Sequence, residues 1–367
     1  MTSKPIHLLH VFPTFAVGGS QTRFAQLARA HGARYLHTVI ALDKETDMAA
    51  RLSGDAAIAF RTLDFDKRRV WSNLLLFRRT IAEIAPDILV TYNWGAIEWA
   101  LANRGWSARR HVHIEDGFGP DEAQIQFRRR VWGRRLALSG RGTTVVVPSK
   151  GLERVALNAW KIPPARIRFI PNGIDCDRFF VDVASRQERS APLVVGTVAT
   201  LRREKNIQRL ISAFCAVAKD RPPGSLRLLI VGDGPEAATF KAFAAATPFA
   251  EWIEFAGASS EPQDWLRKMD VFALSSDTEQ MPFSVIEAMA SGLPLVSTRV
   301  GDVPDMLAAE NASKIVRVGD DAAYGQALAG LLESAALRQS LGRANQVKAR
   351  SQFDAGLMVA RYAELFG

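Results

Sequence analysis

Short runs rich in Val, Ile and Leu, too brief for helices and bounded by turn residues, recur from one end of the 367-residue chain to the other, with helical periodicity between them. Such a run reads as a strand buried on both faces, and a helix linking two of them is the crossover of a parallel pair. The first half predicts strands at Ile6–Phe12, Tyr35–Leu42, Asp87–Tyr92, His111–Ile114 and Thr143–Pro148, and one ending at Ile170. The second half predicts them at Leu193–Ala199, Leu226–Gly232, Ile253–Ala256, Val271–Leu274 and Pro294–Thr298.

Each half therefore reads as an α/β, doubly wound sheet of Rossmann type, with its chemistry at the carboxyl ends of the strands. Pro171-Asn172-Gly173 and the polar stretch Ser185–Ser190 punctuate the chain between the halves. The expected organisation is an N-terminal domain over 1–170, a second domain over 171–345, and a terminal helical segment over 346–367 that packs back on the first. Apolar residues make up 48% and charged residues 23%, a globular composition. Cys176 and Cys215 are the only cysteines, which excludes a disulfide framework and suits a reducing, cytoplasmic setting. His7, His10 and Pro13 interrupt the first apolar stretch, so it reads as a strand rather than a signal peptide. No apolar run approaches the roughly 18 to 20 residues that span a bilayer.

A net charge of +9 favours a polyanionic partner. Its densest source is Arg128, Arg129, Arg130, Arg134, Arg135 and Arg141, interleaved with Val131, Trp132, Leu136 and Leu138, which is a basic face and an apolar face at helical spacing. This predicts either a helix lying on an anionic membrane surface or a solvated helix packed on its own domain. No nucleic-acid reading motif or aromatic stacking platform is present, so nucleic acid is not the expected partner.

The segment Ser275–Pro294 carries most of the chemistry. A strand ends near Leu274, a polar loop holds Glu279, Pro282 stands where a helix begins, and Gly292 with Pro294 ends it. The amides of Phe283, Ser284 and Val285 then face outward at a helix N-terminus, where anions bind. Glu287 lies just over one turn further on. A loop carboxylate, an anion site and a second carboxylate suit a sugar hydroxyl, a diphosphate and a ribose.

Glu279 and Glu287 frame seven residues, and this spacing resembles the E-x7-E motif of the retaining GT-B glycosyltransferases of family 4. Pro294–Asp305, Ile170–Asp175, Gly196-Thr197-Val198 with Glu204-Lys205-Asn206, and Val231-Gly232-Asp233-Gly234-Pro235 resemble further segments of that family. The resemblance implies a GT-B architecture, two Rossmann-like domains facing each other across a cleft. It implies transfer of a sugar from a nucleotide-diphosphate donor to a glycan or lipid-linked acceptor, with retention, in cell-surface polysaccharide or glycolipid synthesis. Glu287 would bond the donor ribose, Glu279 a sugar hydroxyl, and Lys205 the diphosphate. Gly232 and Gly234 would let a loop approach the nucleotide, with Glu254 and Phe255 flanking the base. Thr200 and Ala199 occupy the places of the family's usual Arg, so either Arg202 or Arg203 substitutes or the diphosphate is held less tightly, and Gln280 stands where Gly is common.

The first half matches the family only through Gly18-Gly19-Ser20 and the segment His111–Pro120. The glycine pair opens a predicted helix Gln21–Ala30 and could admit an acceptor or a donor phosphate to its amides. On the strand, His111 and His113 share one face and Val112 and Ile114 the other. His113, Glu115 and Asp116 are candidates to touch the acceptor hydroxyl or the donor sugar. Asp64-Phe65-Asp66 and Asp175-Cys176-Asp177 could suggest a metal-dependent GT-A enzyme, but Asp175 belongs to the interdomain turn, so neither metal nor other cofactor is expected. The alternatives are a non-catalytic sugar-nucleotide or glycan-binding subunit, and another user of the fold such as an epimerase or a phosphorylase.

Overall fold

A computed structural model describes residues 4–52, 57–66, 68–105, 108–118, 122, 126–186 and 192–367. Gly119-Pro120 and the 187–190 part of the polar stretch, both singled out above, lie outside the described residues. The chain forms two compact units, residues 1–172 with 358–367, and residues 173–357.

The first unit holds a parallel sheet of seven strands: β1 Ile6–Phe12, β2 Tyr35–Ala41, β3 Ile58–Phe60, β4 Ile88–Tyr92, β5 Arg110–Ile114, β6 Thr143–Val147 and β7 Ile167–Phe169, in the order β3-β2-β1-β4-β5-β6-β7. Alternation along the strands splits the core into two faces. Leu8, Val90, Val112 and Val146 meet Phe24 and Leu27 of the helix Gly19–His31, together with Met358, Tyr362, Leu365 and Phe366 of the helix Ala355–Phe366. On the opposite face Leu9, Val11 and Leu89 meet Phe77 and Ile81 of the helix Val70–Ile84, and Val145 and Val147 meet Ala137 and Leu138 of the helix Arg128–Leu138.

The second unit repeats the plan with six parallel strands: β8 Leu193–Val198, β9 Leu226–Val231, β10 Ile253–Gly257, β11 Val271–Leu274, β12 Leu295–Thr298 and β13 Ile315–Val316, ordered β10-β9-β8-β11-β12-β13. In both sheets the strand order reverses once, between β1 and β4 and between β8 and β11. Connections leave the two neighbours toward opposite faces there, which opens a crevice at their carboxyl ends. That crevice is lined by the loops after β1 and β4 in one unit and after β8 and β11 in the other.

Two edge strands, β3 and β13, are not among the runs read from the sequence: β3 has no buried residue and β13 is two residues with only Ile315 buried. The expected terminal helical segment is two helices, Ala335–Gln352 and Ala355–Phe366. They part at Asp354, whose Oδ1 accepts from the Gly356 amide at 2.8 Å, while Ile174 donates to the Phe353 carbonyl at 2.9 Å and accepts from the Ala355 amide at 2.7 Å.

Tyr362 is fully buried, 5.7 Å ring to ring from Phe366, which in turn lies 5.8 Å from Tyr35. Truncating it should leave a cavity in the first unit. Tyr362→Ala is expected to lower that unit's stability by about 3–5 kcal/mol in urea unfolding followed by tryptophan fluorescence. A loss under about 1 kcal/mol would mean that the terminal helix is not part of this core.

Candidate active-site residues in each unit

In the second unit the loop after β8 runs through a 3-10 turn at Arg203–Lys205 to Asn206, which takes a left-handed φ of 43° and caps the helix Ile207–Ala218 by accepting from the Arg209 amide at 3.1 Å. The loop after β11 lies against it. Lys205 Nζ is 2.5 Å from Glu279 Oε1, and Ser276 Oγ donates to the same oxygen at 2.7 Å. The Asp277 amide donates to the Glu204 carbonyl at 2.8 Å, and Ser275 Oγ to the Lys205 carbonyl at 2.8 Å. Arg209, 7% exposed at its side chain, donates through Nη1 to the Ser275 carbonyl and to Asp277 Oδ1, each at 2.7 Å, and through Nε to Asp321 Oδ1 at 2.6 Å. Behind Glu279, Gly301 has φ 49°, and a Cβ there would lie 2.5 Å from the carbonyl oxygens of Glu279 and Gln280. The carboxylate and the ammonium are thus fixed from three directions.

The helix Phe283–Ala290 starts after Pro282, the residue that caps it in extended conformation. Val285 is fully buried and its amide donates to the Pro282 carbonyl at 3.2 Å, so the expected anion site narrows to the Phe283 and Ser284 amides. Glu287 is half-buried on the same helix, and burial pushes its carboxyl up to about 7 against the opposing field of Arg178. Arg202 and Arg203 are exposed.

Gly232 and Gly234 are required by the protein's own packing as well. A Cβ on Gly232, whose φ is 136°, would lie 1.8 Å from the Ala199 carbonyl oxygen, and one on Gly234 would lie 2.6 Å from that of Leu201. The neighbouring loop of the protein thus requires glycine at both positions, whatever ligand the loop meets. Phe255 is likewise half-buried against the cluster under the helices Ile207–Ala218 and Ala237–Ala245, with Lys241 Nζ 6.0 Å from its ring centroid, while Glu254 is exposed.

In the first unit Gly18 caps the helix Gly19–His31 in extended conformation, Gly19 is exposed, and Ser20 Oγ donates to Gln21 Oε1 at 3.0 Å. His113 and Glu115 are fully buried, which removes them from direct contact with a substrate. Thr91 Oγ1 bridges His111 Nε2 and His113 Nδ1, each at 2.8 Å. Burial, with His113 beside it, pushes His111 down to about 3, so its imidazole is neutral. Glu115 Oε2 accepts from Arg134 Nε at 3.1 Å. Arg134 itself is 1% exposed, also bonded to Glu122 at 3.3 Å, and its guanidinium carbon lies 5.0, 5.1 and 5.3 Å from the rings of Trp94, Trp160 and Phe118. Arg130 donates to Glu122 Oε2 at 3.1 Å. Two of the expected surface cations therefore serve the fold, Arg134 wholly, while Arg128, Arg129 and Arg135 stay exposed.

Asp116 remains half-open, its side chain 19% exposed. The buried Arg23 donates to Asp116 at 2.7 Å and to Asn172 Oδ1 at 2.9 Å. The Asp116 amide donates to Asn93 Oδ1 at 2.7 Å. Asn93 has φ 54° and ψ −179°, a region that is essentially glycine's and costs other residues about 1–3 kcal/mol. Sequence reasoning missed Arg23, Asn93, Asn172 as a ligand, and Arg209. For Arg23 a signal existed: a lone cation on the apolar stripe of its helix.

Two family patterns match: the one described as Glycosyl transferases group 1 over residues 192–334, and the one described as Glycosyltransferase Family 4 over residues 17–178. Curated relatives include N-acetyl-alpha-D-glucosaminyl L-malate synthase of Bacillus anthracis, 25% identical over 46% of this chain and 44% of its own length. The amylovoran biosynthesis glycosyltransferase AmsK of Erwinia amylovora is 27% identical over 60% and 55%. The chain thus spans about half the length of these relatives. Among solved structures, HepE of Anabaena in complex with UDP superposes with a TM-score of 0.81 at 17% identity, covering 98% of this chain and 99% of that one. A glycosyltransferase of Rickettsia africae gives 0.78 at 17% identity, covering 99% and 98%. The fold is GT-B.

The raised Glu287 carboxyl makes a pH prediction independent of any ligand. A folded value near 7 against an ordinary 4.5 means that the folded state holds the proton more tightly than the unfolded one. The favourable contribution is complete below about pH 4.5 and is lost as pH rises through 7. It amounts to at most about 3 kcal/mol, and less for a carboxyl that is only half-buried. In Glu287→Gln the difference in denaturant midpoint between pH 5 and pH 8 should shrink, and an unchanged difference would mean that the carboxyl titrates normally.

Proposed function

We propose that this chain, which carries the GT-B fold of the glycosyltransferases and matches their patterns in both halves, transfers a hexosyl group from a nucleotide-diphosphate sugar to a glycan or lipid-linked acceptor. The observation that carries the reading is the clasp of the loops after β8 and β11. It sets a cation, Lys205, and a carboxylate, Glu279, on one spot beside the N-terminus of the helix Phe283–Ala290.

The chemistry follows from charge. Cleavage of the bond between the anomeric carbon and the diphosphate leaves the electron pair, and one more negative charge, on the terminal phosphate, and a fixed ammonium with the Phe283 and Ser284 amides answers that charge without reorganisation. Glu279 accepts from a hydroxyl of the donor sugar, and Glu287 from the ribose. The acceptor oxygen replaces the diphosphate oxygen on the anomeric carbon, and its proton leaves with the nucleoside diphosphate. Asp116, held by Arg23, is the half-open carboxylate of the first unit and orients the acceptor hydroxyl. The family resemblance supports retention at the anomeric carbon, which proton NMR of the first-formed product tests. No step draws on a metal; activity that vanishes in EDTA and returns with magnesium or manganese would contradict this.

The acceptor side is a membrane surface. Trp132 is 65% exposed on the helix Arg128–Leu138, and Trp71 is 83% exposed on the helix Val70–Ile84. Both helices pack against the helix Ile97–Ala102, and Arg104, just beyond it, donates to the Leu136 carbonyl at 2.7 Å. Arg78, Arg79, Arg128, Arg129 and Arg135 are exposed on the two outer helices. Apolar rings among cations match the interface of an anionic leaflet, where each cation contributes about 1 kcal/mol. The expected site of action is the cytoplasmic face of such a membrane.

Two measurements test these readings. Lys205→Ala and Glu287→Ala should weaken binding of the nucleotide sugar, while Glu279→Gln should lower kcat by about 100-fold or more with a smaller change in KM. Wild-type rate and affinity in all three would move the donor site elsewhere. Wild-type protein should sediment with phosphatidylglycerol vesicles at low salt, be released at about 1 M salt, and lose binding when Trp71 and Trp132 become Ser together. Protein that stays in the supernatant with every anionic vesicle would replace the membrane acceptor by a soluble one.

A further inference from the structure

We infer that Asn93 is a positioning residue, whose carboxamide, carried on a backbone that only glycine adopts without strain, sets the direction of the Asp116 carboxylate. This rests on Asp116 facing the acceptor.

Asn93 follows β4 immediately, at the carboxyl edge where the strand order reverses. Its amide donates to the Ile114 carbonyl at 2.9 Å, and its Oδ1 accepts from the Asp116 amide at 2.7 Å. The last residues of β4 and β5 are thus locked together by one residue, from its backbone on one side of Glu115 and from its side chain on the other. With φ at 54° and ψ at −179°, the chain then turns sharply into Trp94, whose ring lies so close to Gly133 that a Cβ there would meet it at 2.7 Å. Trp94 in turn underlies Arg134 and Arg130.

Glycine would make the same turn without strain. What glycine lacks is the acceptor oxygen on the Asp116 amide. On the other side Arg23 grips the carboxylate itself. Asp116 is therefore held at its backbone by Asn93 and at its carboxylate by Arg23, while its side chain keeps an open edge. Strain retained where a strain-free residue fits marks a side chain needed for orientation rather than for folding.

The experiment compares Asn93→Gly with wild type and with Asp116→Asn. The readouts are thermal unfolding, hydrogen exchange at the Asp116 amide, and release of nucleoside diphosphate from UDP-glucose, UDP-N-acetylglucosamine and GDP-mannose with water as the acceptor. Asn93→Gly is expected to melt no lower than wild type, to exchange the Asp116 amide about tenfold faster or more, and to lose about tenfold in kcat with donor KM within about twofold. A purely structural Asn93 would instead lower the melting temperature together with the rate, and that result overturns the inference. So does a kcat within about twofold of wild type, or an unchanged exchange rate. Full activity in Asp116→Asn would overturn the underlying reading of Asp116, an outcome separate from the behaviour of Asn93.

Discussion

The reversal of strand order in each parallel sheet is the constraint from which the rest follows. Where β1 neighbours β4 and β8 neighbours β11, the helices on either side depart in opposite directions and leave the strand ends uncovered. The Lys205–Glu279 pair sits on the loops at one of these places, and Asn93, which holds Asp116 of the loop after the adjoining β5, sits at the other. The loops cannot be held by the helices that cover the rest of each sheet, so they hold one another. The hydrogen bonds between residues 204–209 and 275–279 do this in one unit, and Asn93, Asp116 and Arg23 do it in the other.

Three buried arginines carry much of that task. Arg23, Arg134 and Arg209 each bond two or more oxygens from separate segments. A buried guanidinium is tolerable only when its donors are met and its charge is countered, and these fulfil both conditions with carboxylates and, for Arg134, with three aromatic faces. A planar fork of five donors can tie several segments at fixed angles, which a lysine cannot. The cationic excess of the sequence is therefore part scaffold and part surface.

That division explains what the sequence could disclose. Strands of four or more residues are legible within a residue or two at their ends because burial on both faces forces continuous apolar runs. Glu279 and Glu287 are legible because one short segment contains loop, helix start and both carboxylates. Arg209 is not, since its partner Asp321 lies 112 residues away, and Arg23 reaches Asp116 and Asn172 across 93 and 149. Asn93 is hidden for another reason: nothing in its neighbours announces a left-handed backbone. The basic helix misleads because periodicity gives the face of a residue but not its partner, and Arg134 turns inward to Glu115 and Glu122.

The first unit is discontinuous: its core is closed by Met358, Tyr362, Leu365 and Phe366, which follow the whole of the second unit. During synthesis the ribosome delivers residues 1–172 long before that last helix exists. The second unit, contiguous over 173–357, can complete its core first. The half made first must then wait with an apolar sheet face exposed, an opening for chaperones and for aggregation that the later-made half does not share.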